Sequence, residues 1–437
     1  MDAVREQIGA DLEELGVPGV SWVVVKGGEI ASTGVAGVLG ADRPVEATSL
    51  FQAASISKPI AVVAMLRLVD RGVLELDADV NRQLKSWQVP PTRGWQPAVT
   101  LRQLASHSGG LSVPGFPGYR PGSPLPTTVQ ILEGTPPSNT AGPRADRIPG
   151  MQFAYSGGGT SIIQLLLEDV TGRPFRELMR ELVLEPMGML DSDYAQPLPA
   201  ELESRAALAH DELGRPIDGG WHVYPELAAA GLWTTSADLA RFAIGVRRAY
   251  AGVDGALLSP ELARELLRPQ IAVEGPMAGL SHAGLGVFVT ADGRLFGHSG
   301  GNAGYRCNLV LDRESGDGLA VMTNSDNGGH LSMRASAAAG AAFGWVDYEP
   351  LDWQVAVPTA EALEALAGDY VLDGGLRLAA VPQGNSLLVT FDGQPPLRFV
   401  ALSATEFMPT ATDARLEIRD GALVFLQSGV ERACHRE

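Results

Sequence analysis

Ser55 and Lys58 stand three residues apart in Ser55-Ile56-Ser57-Lys58, directly before a segment that reads as a helix from Pro59. At helical spacing i and i+3, a hydroxyl and an amine share one face and can meet. A serine hydroxyl is a weak nucleophile until a base takes its proton. A lysine buried at a helix N-terminus can be neutral enough to serve, and the helix dipole favours the negative charge that develops there. The chain holds only three Lys (Lys26, Lys58 and Lys85) against thirty Arg. In so arginine-rich a chain, a Lys offers what Arg cannot, a pKa that can be lowered. This is the one S-x-x-K in the sequence. Without partners, the same residues would be a helix-capping Ser and a surface Lys.

Two further constellations supply partners. Tyr155-Ser156-Gly157 precedes another helical stretch, and a phenol beside a lysine ammonium can be depressed in pKa and pass a proton to a leaving group. Gly297-His298-Ser299-Gly300-Gly301 follows the strand-like Arg294-Leu295-Phe296. Backbone so rich in Gly can run close beside a substrate and aim N–H groups at an oxyanion, while His298 can orient an acyl group or stabilise charge. The same five residues satisfy the G-x-S-x-G of α/β-hydrolases, with Ser299 as nucleophile. That motif needs a strand followed directly by a helix, whereas Asn302-Ala303-Gly304-Tyr305-Arg306-Cys307 reads into another strand.

In this order the motifs resemble the serine β-lactamase-related family, especially its class C-like esterases, D-aminopeptidases and transacylases. The resemblance spans roughly residues 5 to 345 and includes T-L-R-Q-L-A-S-H-S-G-G-L from Thr100, F-A-Y-S-G-G-G-T from Phe153, L-E-P-M-G-M-L-D-S from Leu184 and A-A-A-G-L-W-T-T-S-A-D-L-A-R-F from Ala228. It implies that Ser55 is acylated, that Lys58 and Tyr155 act as bases, and that His298 stands where lactamases carry the Lys of K-T-G. It also implies an oxyanion hole of the Ser55 and Gly301 backbone N–H groups, with Gly300 and Gly157 lining the substrate. Ser57 is a neighbour rather than a participant.

Two departures shift the substrate. Gly157 replaces the Asn of Y-x-N, losing an amide that would hold a substrate carbonyl. His298 replaces Lys, weakening attraction for a carboxylate. The expected activity is therefore hydrolysis of a small ester or amide, or transfer of its acyl group to an amine acceptor, through one acyl-enzyme. An acylation-only penicillin-binding sensor is the alternative without turnover. No cofactor or metal is expected: there is no H-E-x-x-H, the seven His are scattered, and Cys307 and Cys434 are too few for a Cys-rich zinc site.

The elements that must position these residues follow from pattern. A first helix leads into strands V-S-W-V-V-V-K and I-A-S-T-G-V-A, joined by a turn at Gly27-Gly28. Helical patterns occupy the middle of the chain, strands resume near residue 285, and an Ala-rich helix covers about 331 to 344. Strands at both ends with helices between suggest one sheet built from both termini. The expected class is α/β (α+β): an antiparallel sheet flanked by helices, with a helical insertion over roughly 60–280, in a catalytic domain of residues 1–350. Residues 351–437 read as a small antiparallel lipocalin-like β-barrel, in which 415–419 alternates as a half-buried strand should.

Residues 112–150, rich in Pro and Gly, read as a long irregular functional loop. Trp221, His222 and Tyr224 are candidates to line the pocket, and Arg432 to reach its mouth with a cation. Net charge is −18, which argues against a nucleic-acid partner. No stretch approaches the roughly 20 apolar residues of a membrane span, and the acidic amphipathic start does not read as a signal peptide, so a cytoplasmic location is expected.

Overall fold

A computed structural model describes residues 2–348 and 358–437, except 385, 395, 410–413, 420, 428 and 429. Eleven strands come first: β1 Gly19–Lys26, β2 Glu29–Gly40, β3 Arg43–Pro44, β4 Phe51–Gln52, β5 Trp233–Thr234, β6 Ile271–Met277, β7 Leu280–Ala283, β8 Phe288–Val289, β9 Leu295–Asn302, β10 Tyr305–Asp312 and β11 Gly318–Thr323. Nine form an antiparallel sheet in the order β3-β2-β1-β11-β10-β9-β8-β7-β6. β1 and β11 pair inside the sheet, Val20 opposite Thr323, so both ends of the domain meet there as expected. Gly27 and Gly28 both take positive φ, 62° and 87°, the hairpin geometry that suits the right-handed twist of the flanking strands.

Apolar residues run almost without interruption along β1 because both faces of the sheet are covered. Val23 and Val25 face the main core, whereas Val20, Trp22 and Val24 face the opposite layer. That opposite layer is α1 (Asp2–Glu14) with, near the end of the domain, the helix Gly328–Phe343. A Cβ at Gly34 would collide with the Trp22 indole, so the ring lies over bare backbone there.

The main-core layer begins with α2 (Ser57–Asp70), followed by α3 (Leu101–Ala105), α4 (Thr128–Glu133), α5 (Gly157–Thr171), α6 (Phe175–Met179), α7 (Leu227–Ala230), α8 (Ser236–Tyr250) and α9 (Pro260–Leu267). Every residue of α2 from Ser57 to Leu66 is buried, which explains a helix that is apolar all round. α5 brings Ile162, Ile163 and Leu165–Leu167 into the same core. α8 packs across β1 and β11, with the Ser21 and Ser236 hydroxyls 2.7 Å apart.

The 112–150 segment is less irregular than its composition suggests. It contains α4, whose Thr127 and Gln130 form a reciprocal cap, and it bridges Leu111 to Ala145 and Tyr119 to Val223. Capping and cross-chain pairing, neither of which follows a period, organise it. The Ala-rich helix starts three residues earlier than expected, at Gly328, where a Cβ would strike Thr323.

The C-terminal strands run from Gly368–Leu372 to Val430–Arg436, eight in all, and close into an antiparallel barrel in which Tyr370 pairs with Arg436. Leu387, Val389, Phe399, Phe407 and Leu416 fill its interior, and Leu363 and Leu366 of the helix Ala360–Leu366 pack against them. The expected boundary at 350/351 lies outside the described residues. No helix among the described residues is long and apolar enough to cross a membrane.

Arg398 joins the barrel to the first domain. Its backbone N–H donates to Glu212 Oε2 at 2.9 Å, and its guanidinium donates to Ser386 Oγ at 2.8 Å and to the Leu15 carbonyl at 3.3 Å. Arg398→Ala removes the two guanidinium bonds and is expected to lower stability by about 1–2 kcal/mol. Urea denaturation followed by circular dichroism checks this, and an unchanged midpoint would show that the contact carries no weight.

Candidate active site

Ser55 lies in the single turn Ala54–Ile56 that joins β4 to α2. From Leu50 to Leu66 every residue is buried except Ser55, which alone reaches solvent. Ala54 before it takes φ +48°, a left-handed conformation that costs a residue with a Cβ about 1 kcal/mol or more. Four contacts hold this turn. Ser57 Oγ donates to the Ala54 carbonyl at 2.5 Å and accepts from Leu232 N at 3.1 Å. Ala53 N donates to the Leu232 carbonyl at 2.9 Å, and Cys307 Sγ approaches the Ala53 carbonyl at 3.1 Å. Ser57 is thus a brace, its hydroxyl fully engaged.

Lys58 Nζ sits 2.9 Å from Ser55 Oγ and 2.8 Å from the Ala229 carbonyl at the end of α7. It is almost wholly buried, and burial pushes its amine down to about 7. Its Nζ is 5.0 Å from the centroid of the Tyr155 ring. The Tyr155 hydroxyl bonds to Ser55, yet its phenol is raised above its ordinary value, because burial outweighs that bond. The expectation of a depressed phenol is therefore corrected: with Lys58 near neutrality, no strong cation stands by to stabilise a phenolate.

His298 is buried on β9. Its Nδ1 lies 2.5 Å from the Ser299 carbonyl, which can only accept, so the ring proton is on Nδ1. Nε2 is then a bare acceptor, buried with no hydrogen-bond partner among the described residues. Burial, with Lys58 nearby, pushes His298 down to about 3. The ring is neutral at working pH and does not replace the lactamase lysine as a charge.

Gly300 opposes Cys307 across β9 and β10. A Cβ there would collide with the Ala53 carbonyl oxygen and Cys307 Sγ, so only glycine lets β9 pass this close to the serine turn. Gly301 is exposed between buried Gly300 and Asn302. β9 therefore opens to solvent beside the turn that carries Ser55. Asn302 Nδ2 secures this end of β9 by donating to Gln52 Oε1 at 2.7 Å and to the Ala230 carbonyl at 3.1 Å.

The other candidates fall into place around this centre. Gly157 opens α5; its N–H donates to the Pro114 carbonyl at 3.1 Å and its Cα faces Phe116, so it docks the 112–150 segment. His222 Nδ1 meets the Pro117 carbonyl at 2.9 Å, and Tyr224 OH accepts from Ala303 N at 3.0 Å. Trp221 packs edge-on against Trp233. His222 and Tyr224 thereby tie that segment to the β9–β10 turn. Arg432 instead donates to the Asp373 carbonyl within the barrel. Ser299 lies inside β9, which turns into β10 without a helix, so the strand–helix elbow of an α/β-hydrolase is absent there.

Sequence reasoning missed an aromatic wall. Phe288 stands 4.9 Å from the His298 ring and 6.3 Å from that of Tyr155, and His107 stacks on Tyr155 at 4.3 Å between centroids. His107 lies within a quoted family signature, but nothing in its spacing assigns it a neighbour.

Residues 4–343 match the family described as beta-lactamase. The chain belongs to that family. Among curated members it is 31% identical over 233 residues to esterase EstB of Burkholderia gladioli, covering 50% of this chain and 56% of the esterase. It is 26% identical over 231 residues to the D-alanyl-D-alanine-carboxypeptidase/endopeptidase AmpH of Escherichia coli, covering 52% of this chain and 57% of AmpH. These matches span little more than half of either relative. The fold of an octameric penicillin-binding protein homologue from Pyrococcus abyssi covers 99% of both chains at a TM-score of 0.67 and 21% identity. The family thus includes esterases and peptidases on this β-lactamase-like scaffold.

With Lys58 as the base for Ser55, kcat/KM should fall about tenfold per pH unit below an apparent pKa near 7, where the amine keeps its proton. His298, neutral above about 3, adds no limb there. A pH–rate profile checks this, and Lys58→Arg should abolish activity because a guanidinium stays charged. Gly300→Ala should reduce kcat/KM on the order of 10²-fold by pushing β9 off the serine turn, read by steady-state kinetics on folded protein.

Proposed function

We propose that this protein is a serine hydrolase that cleaves small uncharged esters through an acyl-enzyme on Ser55. The observation that carries this reading is the buried Lys58 amine 2.9 Å from the Ser55 hydroxyl, with its pKa near 7. In its neutral form the amine keeps an N–H for the Ala229 carbonyl and turns its lone pair to Ser55 Oγ–H. Lys58 takes the Ser55 proton as Oγ attacks the substrate carbonyl, and the resulting oxyanion faces the N–H groups of Ser55 and Gly301. The neutral Tyr155 hydroxyl gives its proton to the leaving group and is resupplied by Lys58. Water then attacks the acyl-enzyme by the same relay in reverse. An amine arriving in place of water would make the reaction an acyl transfer.

The neutral groups beside Ser55 support an ester substrate. The site presents a neutral imidazole with a bare acceptor and the aromatic rings of Phe288 and Tyr155. None of these attracts the carboxylate of a β-lactam or a D-Ala-D-Ala peptide. The esterase among its relatives points the same way.

Wild type should turn over p-nitrophenyl butyrate many times, and Ser55→Ala should lose on the order of 10³-fold or more. Activity that survives Ser55→Ala overturns the assignment. A single stoichiometric burst from wild type would show an acylation-only protein instead.

A further inference from the structure

We propose that His107 is a positioning residue that fixes Tyr155 as the proton donor to the leaving group. This role rests on the Ser55 mechanism above. His107 grips the tyrosine at three points. The N–H of Ala154, just before it, donates to the His107 carbonyl at 2.7 Å. The N–H of Ser156, just after it, donates to His107 Nδ1 at 3.2 Å. Between those two bonds the imidazole stacks on the phenol ring, with centroids 4.3 Å apart and planes 37° apart. One residue thus holds the backbone on both sides of Tyr155 and its ring.

Its conformation shows that this grip is built in. His107 takes φ +55°, a region that non-glycine residues enter at a cost of about 1–3 kcal/mol and keep only where surrounding contacts dictate it. The contacts on either side do so: Ser106 Oγ donates to the Arg102 carbonyl at 2.8 Å and lies 2.9 Å from Ser108 Oγ. The Ser108 carbonyl accepts from Gly150 N at 2.7 Å. Phe153 and Phe288 enclose the ring.

The hydrogen bonding also fixes its protonation. Because Nδ1 accepts an amide N–H, the ring proton must lie on Nε2. A second proton would break the Ser156 bond, and burial with Lys58 and His298 nearby holds the group well below the ordinary histidine range. His107 therefore orients and does not titrate.

The mechanism makes this visible through the leaving group. When the tetrahedral intermediate collapses, the C–O bond breaks and the departing alkoxide takes the Tyr155 proton, which Lys58 replaces with the one drawn from Ser55. A p-nitrophenolate leaves as the stable anion and needs no proton, whereas ethoxide does.

The test compares p-nitrophenyl butyrate with ethyl butyrate in wild type, His107→Ala, His107→Asn, Tyr155→Phe and the double variant His107→Ala/Tyr155→Phe. His107→Ala should lose on the order of 10²-fold more on the ethyl ester than on the p-nitrophenyl ester. Tyr155→Phe should show the same split, and the double variant should be little worse than either single one. His107→Asn should recover part of the loss, because Asn tolerates positive φ and offers an acceptor to Ser156 N–H. It also keeps the test open if the Ala variant does not fold. Equal losses on the two esters, or additive losses in the double variant, would overturn the role. Ser55→Ala run alongside separates the two readings: if it stays active the hydrolase mechanism fails, and if it is dead while the His107 losses are equal, only the His107 role fails.

Discussion

A primary amine kept out of water beside a hydroxyl is the condition on which this molecule is arranged. Moving Lys58 from 10.5 to about 7 corresponds to on the order of 5 kcal/mol between its two protonation states. Between those two pH values the unfolded chain binds a proton that the folded chain rejects. This group therefore costs the folded state most below about pH 7, and the cost fades as pH rises through that window. The burial comes from α2, packed on every side, while the Ala229 carbonyl accepts a hydrogen bond from the amine. Burial lowers this amine, whereas a close carboxylate would have restored its charge.

The same absence of charge runs through the surrounding shell. His298 and His107 are both neutral but hold their protons on opposite nitrogens, His298 on Nδ1 and His107 on Nε2, because one faces a carbonyl and the other an amide. Each tautomer is set by a backbone group. Phe288 packs near both imidazoles and Tyr155. The result is a centre in which the proton positions of both imidazoles are fixed by hydrogen bonding.

The parts of this design that depend on neighbours in the chain were legible in the sequence. Ser55 and Lys58 meet because three residues of helix bring them together, and the glycines of 297–301 announce a close backbone approach. The two-ended sheet and the terminal barrel follow from where apolar alternation begins and stops. Other parts depend on distant groups. The phenol of Tyr155 rises instead of falling because burial, which no spacing reveals, outweighs its neighbours. The His107 grip joins residues 49 positions apart through a backbone amide, and a positive φ has no signature in a histidine. The 112–150 segment reads as loose because caps and isolated bridges carry no period.

The pairing of β1 with β11 also sets an order of assembly. The serine turn is formed by residues that emerge early in synthesis, but the Cys307 that braces it lies 254 positions further along. The β1–β11 pair inside the sheet cannot close until Thr323 is available to meet Val20. Contacts of such sequence separation make folding slow, and until they form β1 presents an unpaired apolar edge to other chains. The surroundings of Ser55 are thus completed only when nearly the whole first domain has been made, so that a truncated chain lacks both the braced turn and the glycine strand beside it.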